Sequence, residues 1–427
     1  MKRLLIISPY FPPNNTADMQ RIRMSLPYFK ENGWEAEVVT VDEHWSDLPK
    51  DDLLIETAPA DIKIHKINAL NKKWTSKLGF GNIAFRSYFS YKKKVNELLR
   101  SEKFDLIYFS TTQFPICILG AYWKKRFSVP YVIDMQDAWY STYYSNKSKH
   151  QQPPKYKLSY ALHQYLEPIA MKQVGGLISV SENYITELKH RYPSIKNIPA
   201  DVITFGSFTP DMAIASKNKD RFTNLLEPGF KNIVYIGRGG IDMHKAIIPV
   251  FIAFKNGLQE NTDSFNKLKF YFIGTSYAPK GKTMPTILPL AEQLGIEGNV
   301  IEITDRISYF HTLMTLLQAD ALFIPGSDDP NYTASKIYPY LLANKPLLAV
   351  FNSNSSVLDV LSECGAEYSF SYDQTPGITN HLSKFLTELA NNSLSAPDYN
   401  SECIAKYSAQ NLTKKQCDLF NRVVTET

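Results

Sequence analysis

The sequence is short of the residues that mark several classes of protein. Its 427 residues include four cysteines, none of which has a neighbour at the close spacing of a zinc or redox motif. They are Cys117, Cys364, Cys403 and Cys417. This scatter predicts reduced thiols and a cytoplasmic protein. The eight histidines form no ligand cluster, so the sequence predicts no metal site.

Long apolar runs are also missing. No stretch approaches the length of a membrane-spanning helix, about 20 apolar residues. The apolar start of the chain stops at Pro9, too early for a secretory leader. Any membrane contact is therefore predicted to be peripheral. The net charge of +5 is too small to indicate a nucleic acid as the partner.

What the sequence does contain is a repeated alternation of strand and helix. The chain is too long for one core, so two domains are expected. Continuous apolar strands separated by helices predict parallel sheets covered on both faces. The pattern runs from Leu4–Ser8 to a helix at Glu182–Arg191 and restarts at Asn232–Ile236. We place the domains at 1–207 and 208–407, followed by a final helix at about 408–427.

Ligands of open parallel sheets bind beyond the carboxyl ends of the strands. The strand Asn232–Ile236 is followed by Gly237, Arg238 and two more glycines, and Lys245 opens the next helix. Glycines allow close backbone approach and the two cations suit a nucleotide diphosphate. The spacing is not that of the G-x-G-x-x-G dinucleotide fingerprint. The alternative is a glycine-rich turn with a surface arginine and lysine.

A second candidate half-site begins at Ser335. The sequence predicts a helix from Ser335 to Asn344, between a polar loop and the strand Pro346–Phe351. The first turn of a helix has unpaired N–H groups and the positive end of the dipole. Ser335 would cap this turn and Lys336 would add a full charge, which together suit a phosphate.

Other strand ends supply weaker candidates. Asn15 and Thr16 lie in the loop after the first strand. This loop either lies beneath a bound ligand or is a proline-rich connector. Asp137 follows the strand Pro130–Ile133 and suits a sugar hydroxyl, or alternatively caps a helix. Arg306, after the strand Val300–Ile303, is a candidate contact for a nucleotide base.

The segment 71–103 is basic and aromatic. It suits either an anionic membrane surface or an ordinary amphipathic helix with a solvated basic face. Its basic residues are Lys72, Lys73, Lys77, Arg86, Lys92, Lys93 and Lys94, interleaved with Trp74, Phe80, Phe85, Tyr88, Phe89 and Tyr91.

Taken in order, these motifs resemble those of the retaining glycosyltransferases of family 4. The matching segments are Ser8–Pro13 with Arg21, Pro130–Trp139, Ser179–Glu182, Phe205–Ser207, Gly237–Arg238 with Lys245, and Ser335–Pro346. The resemblance implies the GT-B fold, an α/β architecture of two doubly wound Rossmann-like domains facing across a cleft. It also implies that the final helix crosses back onto the N-terminal domain.

The resemblance further implies sugar transfer from a UDP- or GDP-linked donor to a glycan or lipid-linked glycan, in surface polysaccharide or glycoconjugate synthesis. Arg238, Lys245 and the Ser335–Lys336 helix start would stabilise the leaving diphosphate. Asp137 would orient the acceptor hydroxyl and take its proton. Neither a metal nor a cofactor besides the nucleotide sugar is implied.

Two positions depart from the family pattern. Asn331 and Pro339 occupy the places of two glutamates, the second of which normally accepts hydrogen bonds from the nucleotide ribose. Proline cannot accept these bonds. Gln136 replaces an arginine of the R-D-L-W segment. Two alternatives therefore remain: a non-catalytic scaffold or glycan-binding subunit, and a nucleotide-sugar epimerase of the same fold.

Overall fold

The computed structural model describes residues 1–140, 156–278, 281–329 and 336–425. The chain forms two compact units. Unit 1 comprises Met1–Phe205 and Ala409–Thr427, and unit 2 comprises Gly206–Ser408. These limits differ by two residues at the first boundary and by one at the second from those placed on the sequence.

Unit 1 is built on one parallel sheet. Its described strands have the order β3-β2-β1-β4-β5-β6-β7. The strands are β1 (Lys2–Ile7), β2 (Trp34–Val41), β3 (Lys63–Ile67), β4 (Leu106–Ser110), β5 (Tyr131–Met135), β6 (Gly176–Ser179) and β7 (Ala200–Val202). The helices are α1 (Ala17–Ser25), α2 (Lys72–Thr75), α3 (Ile83–Ser101), α4 (Ile118–Phe127), α5 (Tyr156–Met171) and α6 (Glu182–Arg191).

Unit 2 repeats the architecture, with the described strand order β10-β9-β8-β11-β12-β13. The strands are β8 (Lys231–Ile236), β9 (Leu268–Ile273), β10 (Val300–Ile303), β11 (Ala321–Pro325), β12 (Leu347–Phe351) and β13 (Ser369–Ser371). The helices are α7 (Thr209–Lys217), α8 (His244–Glu260), α9 (Thr262–Phe265), α10 (Leu288–Leu294), α11 (Tyr309–Gln318), α12 (Ile337–Leu342), α13 (Ser356–Glu363), α14 (Ile378–Ala390) and α15 (Ser401–Lys406).

Both faces of each sheet are buried, which explains the continuous apolar strands. In β1, Leu5 and Ile7 pack in one core cluster, whereas Leu4 and Ile6 pack in another on the opposite face. Successive side chains of a strand point to opposite faces, so an alternating strand would leave one face polar. The prediction of two doubly wound parallel sheets is confirmed.

The final helix, α16 (Ala409–Thr425), packs on the sheet of unit 1. Leu419, Phe420 and Val423 join the cluster that contains Leu4. A side chain at Gly176 would overlap Val423, so the glycine allows the helix to approach β6 closely. The sequence placed the final helix at about 408–427. In the structure it begins at Ala409 and is preceded by the separate short helix α15.

The segment 205–226, at the boundary expected between the two domains, contains α7. Pro210 lies at the start of this helix, where its missing N–H leaves no hydrogen bond unmade. The Asp211 carboxylate then accepts a hydrogen bond from the Tyr309 hydroxyl at 2.7 Å, which fixes α7 to α11. A proline that reads as a breaker here marks a helix start.

The prediction of four reduced cysteines is wrong for one pair. Cys364 and Cys403 form a disulfide between the end of α13 and α15. The two cysteines are separated by 39 residues, so the close spacing that marks zinc and redox motifs does not identify this pair. Cys117 and Cys417 are buried thiols. Among the described residues, no helix has both the length and the apolar character needed to cross a membrane.

Candidate functional site

Each sheet has one point at which the strand order reverses. In unit 1 this point lies between β1 and β4, and in unit 2 it lies between β8 and β11. The connections leave in opposite directions there, which opens a crevice at the carboxyl ends of the strands. The residues that follow these strands are therefore the candidates for the functional site of each unit.

In unit 2 the crevice is lined by Gly237 and the side chain of Lys336. A Cβ atom at position 237 would overlap the Lys336 ammonium, so the glycine gives the lysine its place. The ammonium donates to the Tyr235 hydroxyl at 3.0 Å and lies 4.7 Å from the centre of that ring. The lysine thus reaches the end of β8 from the start of α12.

Arg238 follows directly and is held by Asp242. Its two terminal nitrogens lie 3.0 and 2.6 Å from the two carboxylate oxygens of Asp242. Ser327, just after β11, donates to the same carboxylate at 2.7 Å. Burial raises the pKa of Asp242, but the bonds from Arg238 and Ser327 outweigh it, so the pKa is lowered overall. Asp242 is therefore a fixed anion that orients the guanidinium.

Positive charge accumulates around Lys336. Burial of its ammonium, followed by the charges of Arg238 and Arg306, lowers the pKa of Lys336 to about 7. Arg306, after β10, lies over the exposed ring of Tyr277 at 4.6 Å. Three cations from different loops thus share one electrostatic neighbourhood, with Asp242 as the carboxylate bonded to Arg238.

The helix that delivers Lys336 differs from the predicted one. It begins at Ile337, and Lys336 is the residue before it. Ser335 and Asn331 lie outside the described residues, so the predicted cap is not described. Pro339 is the third helical residue, where its missing N–H has no intrahelical partner to lose.

Tyr340 shapes the crevice. Its hydroxyl accepts a hydrogen bond from the Ile236 backbone N–H at 2.8 Å. Strands β8 and β11 pair only at the Ala321–Ile233 and Leu322–Val234 positions, so the end of β8 has left its neighbour there. The tyrosine hydroxyl supplies the partner that a neighbouring strand would provide. Nothing in the sequence pattern identified Tyr340, Tyr235, Asp242 or Ser327 as site residues.

Lys245 is the second residue of α8 and is exposed. The neighbouring His244 ring nitrogen Nε2 lies 2.9 Å from the carbonyl oxygen of Thr286. The structure thus brings Gly237, Arg238, Lys336 and Arg306 together, whereas Lys245 remains on the solvent side of the helix start.

In unit 1 the corresponding edge is occupied by a buried ion pair. The Arg21 Nε lies 2.6 Å from an Asp134 carboxylate oxygen, and both side chains are almost fully buried. The terminal nitrogens of Arg21 donate to the carbonyl oxygens of Thr204 and Ile203, at 3.1 and 2.7 Å. This pair joins α1, β5 and the segment after β7.

Gln136 completes this buried network. Its amide nitrogen donates to Asp134 at 2.7 Å and to Ser110 at 2.9 Å. Desolvation raises the pKa of Asp134, with opposing contributions from Arg21 and Gln136. Gln136 therefore bonds the same carboxylate that Arg21 neutralises. Asp18, at the start of α1, accepts a bond from Thr111 at 3.1 Å.

Asp137 lies beyond β5 and is exposed, with a carboxylate oxygen that accepts from the Ala138 N–H at 2.8 Å. Crowding by protein atoms nevertheless raises the pKa of Asp137. The adjacent Trp139 is a core residue that stacks on Phe114, with 5.3 Å between ring centres. Asn15 and Thr16 are half-buried before α1.

No protein-family model matches the sequence, and a search of curated proteins returns no match. Solved structures are similar over nearly the whole chain. Sucrose-phosphate synthase of Thermosynechococcus elongatus has a TM-score of 0.59 at 12% identity over 100% of both chains. S. aureus TarM, as a mutant in complex with fondaparinux, alpha-GlcNAc-glycerol and UDP, has 0.56 at 11% identity over 99% of this chain and 100% of its own.

WaaG, a glycosyltransferase involved in lipopolysaccharide biosynthesis, has a TM-score of 0.51 at 12% identity, over 98% of this chain and 99% of its own. These neighbours are GT-B glycosyltransferases. The fold is GT-B. At this level of identity the likeness concerns the architecture alone.

Proposed function

We propose that this protein is a glycosyltransferase that moves a sugar from a nucleotide-sugar donor to a glycan or lipid-linked glycan, with retention of configuration. The observation that carries the proposal is the cluster of Arg238, Lys336 and Arg306 at the switch point of unit 2. Like charges are costly to hold together in a partly buried crevice, and an anion relieves that cost.

A nucleoside diphosphate fits this crevice best. Gly237 lets a ligand approach the backbone at the end of β8, and Lys336 already lies there. Arg238, oriented by Asp242, presents a rigid donor group beside it. The solved TarM complex contains UDP, which supports a UDP-linked donor here, with a GDP-linked donor as the alternative. Arg306 and Tyr277 would lie against the base.

The proposed chemistry is stabilisation of the leaving group. In glycosyl transfer the transition state is oxocarbenium-like and negative charge builds on the departing diphosphate. Arg238 and Lys336 would stabilise that charge, with Lys245 and Ser335 contributing at the two helix starts. These cations supply the positive charge that a metal ion would otherwise bring, so we propose a metal-independent reaction.

On unit 1, Asp137 is the proposed contact for the acceptor hydroxyl. Its pKa is raised by crowding, which makes its carboxylate a better proton acceptor near neutral pH. Asn15 and Thr16 are proposed to line the donor. We place the reaction on the cytoplasmic side of a membrane, in surface polysaccharide or glycoconjugate synthesis.

One observation favours a non-catalytic alternative. Pro339 occupies the position at which family 4 enzymes present a ribose-binding glutamate, and the structure shows it inside the first turn of α12. A protein that has lost ribose recognition would serve as a scaffold or a glycan-binding subunit. The intact cation cluster is the reason to prefer the transferase.

A thermal-shift screen with UDP, GDP, ADP, dTDP and CMP tests the proposal. A ligand that binds the folded state must raise the unfolding temperature, and we expect one nucleoside diphosphate to do so. Arg238→Ala should abolish that shift, whereas the exposed Lys217→Ala should not. If no nucleotide raises the unfolding temperature, the transferase assignment fails and the scaffold becomes the better account.

A further inference from the structure

Exposed apolar side chains are concentrated in one stretch of unit 1. Of the sixteen large apolar side chains exposed in the described residues, five lie between residues 70 and 89. They are Leu70, Trp74, Leu78, Phe80 and Phe89; Trp74, Leu78 and Phe89 are 71, 76 and 73% exposed. Contiguous exposure of this kind marks an interaction surface more often than chance scatter.

The base of this stretch is fixed to the body of unit 1 by Arg86. The Arg86 carbonyl accepts from the Leu70 N–H at 2.9 Å, and its guanidinium donates to the Leu70 carbonyl at 2.7 Å. A further bond reaches the Trp45 carbonyl at 3.1 Å. The sequence predicts Arg86 to be among the basic residues of this segment's surface. That prediction is wrong, because the Arg86 side chain is buried.

Local contacts hold the protruding part in one conformation. The Asn71 side chain accepts from the second residue of α2 and starts that helix. The Phe80 N–H returns to the Thr75 carbonyl at 2.9 Å. The Phe80 ring then packs edge-on to Phe85 at 5.5 Å, and Phe89 follows Phe85 by four residues along α3. Residues four apart share a helix face, so these rings form one continuous surface.

The surface is strongly positive. Between residues 70 and 93 the chain has five lysines besides the buried Arg86, and no aspartate or glutamate. Lys72 is bonded to Asp47 at 2.6 Å, and the Lys77 ammonium lies 5.3 Å from the centre of the Trp74 ring. In the part of the chain that the structure describes, no recorded ion pair involves the exposed Lys73 or Lys93.

We propose that this lysine–aromatic surface, residues 70–93, docks unit 1 on a bilayer with anionic headgroups. Tryptophan and phenylalanine side chains enter the interface between headgroups and acyl chains, and lysines beside them meet lipid phosphates. Lysine and apolar residues alternate here, as in Lys73 beside Trp74 and Lys77 beside Leu78. Protein interfaces instead exclude lysine from their apolar core, which favours lipid as the occupant.

Sedimentation with vesicles tests the electrostatic part. The protein should bind vesicles of mixed phosphatidylcholine and phosphatidylglycerol, bind pure phosphatidylcholine weakly, and lose affinity as salt rises. The double variant Lys73→Glu/Lys93→Glu should bind at least about 25-fold more weakly, since each lysine contributes about fivefold. The control Lys414→Glu/Lys415→Glu, with the same charge change on exposed residues of α16, should bind normally. Equal loss in both variants would contradict a localised surface.

Tryptophan fluorescence tests insertion. Of the five tryptophans, Trp34, Trp123 and Trp139 are buried and Trp45 is half-buried, so Trp74 alone is exposed. Anionic vesicles should shift emission to shorter wavelength, and brominated acyl chains should quench it. The variant Trp74→Phe should keep most of the binding and lose the signal. Trp74→Ala/Leu78→Ala should bind more weakly, whereas Tyr165→Ala, which removes a ring that is 70% exposed, should not.

The outcomes separate this inference from the donor site. Failure to bind anionic vesicles overturns the proposal and leaves an acidic protein as the partner to seek. Binding to anionic vesicles without quenching by brominated acyl chains would show that the protein adsorbs to the headgroups, and it would overturn the insertion of Trp74. Each variant should still show the nucleotide-induced thermal shift without vesicles, because no substituted residue lies in unit 2. A missing shift in the unaltered protein would count only against the transferase.

Discussion

The two units share the order of six strands, to which unit 1 adds β7, but they differ in how charged side chains are paired at the equivalent sheet edge. In unit 1, Arg21 and Asp134 neutralise each other in the interior, and two backbone carbonyls accept hydrogen bonds from the terminal guanidinium nitrogens. In unit 2, Arg238, Lys336 and Arg306 remain close together with Asp242 bonded to Arg238. A neutralised, buried pair fixes the fold, whereas three neighbouring cations, one of them bonded to a carboxylate, favour the binding of an anion. The first site should therefore govern stability and the second should govern binding.

The largest expected effect breaks the buried pair. Asp134→Asn leaves the Arg21 guanidinium buried without a counter-charge, which should destabilise the protein by about 3–5 kcal/mol. Urea unfolding followed by circular dichroism measures it. Asp242→Asn is the matched change in unit 2 and removes a half-exposed partner, so it should cost at most about 1 kcal/mol. Equal losses in the two variants would remove the distinction between the units.

The second prediction concerns unit 2, where a substitution should lower activity and leave stability intact. Lys336→Met should lower the transfer rate by about 100- to 1000-fold, because it removes a donor to the leaving diphosphate. Its unfolding temperature should stay the same or rise, because a buried ammonium is costly to desolvate. Steady-state kinetics with the nucleotide sugar found by the screen measure the rate. An unchanged rate would show that the cluster does not act on the donor.

Tyr340→Phe sharpens the comparison from inside unit 2. The Ile236 N–H would lose its partner at the end of β8, at a cost of about 1–3 kcal/mol if no water replaces it. We expect this variant to weaken nucleotide binding as well, because the end of β8 carries Gly237. Tyr338→Phe on the same helix is the control and should bind nucleotide normally. A Tyr340 variant with normal stability would mean that the hydroxyl does not shape the crevice.

The smallest effect concerns pH. The pKa of Lys336 is lowered to about 7, so near neutral pH part of the free protein carries a neutral amine. A bound diphosphate favours the charged form, so binding takes up a proton and affinity falls as pH rises above 7, by up to about tenfold per unit. Calorimetry in buffers of different ionisation enthalpy detects this uptake. Lys336→Met should show none, and an identical pH profile for the two proteins would contradict the assignment.

The sequence predicted the sheets well because their signal is local. Strand β12, Leu347–Phe351, is only one residue shorter than the predicted strand Pro346–Phe351, since an apolar run between turn residues fits a buried parallel strand. The sequence from Asp18 to Asn32 predicts a single helix, but α1 ends at Ser25, where Pro27 enters a 3₁₀ turn. The sequence also predicts a helix over Ser87–Arg100, but α3 begins earlier, at Ile83, because Asn82 caps it.

The site was only half predictable. Glycine and cation at a strand end are a local pattern that singled out Gly237 and Arg238, and a cation at a helix start singled out Lys336. The partners Asp242 and Tyr340 depend on which loops meet at the switch point, which is a tertiary property. Asp242 did leave one trace, since it stands four residues after Arg238, the spacing of a helical ion pair. The roles assigned to all of these residues, and to Asp137, Lys245 and Arg306, stay predictions.

The insertion of unit 2 before α16 has a consequence for the order of synthesis. Ser207 pairs with Ser408, and its N–H donates to the Tyr407 carbonyl at 2.9 Å, so the chain enters and leaves unit 2 at adjacent points. Unit 2 is thus an insertion within unit 1. During translation the sheet face around Leu4 stays uncovered until Phe420, which packs on it, has been made more than 400 residues later. The half of the protein that is begun first is completed last, and until then its apolar face must be shielded from other chains.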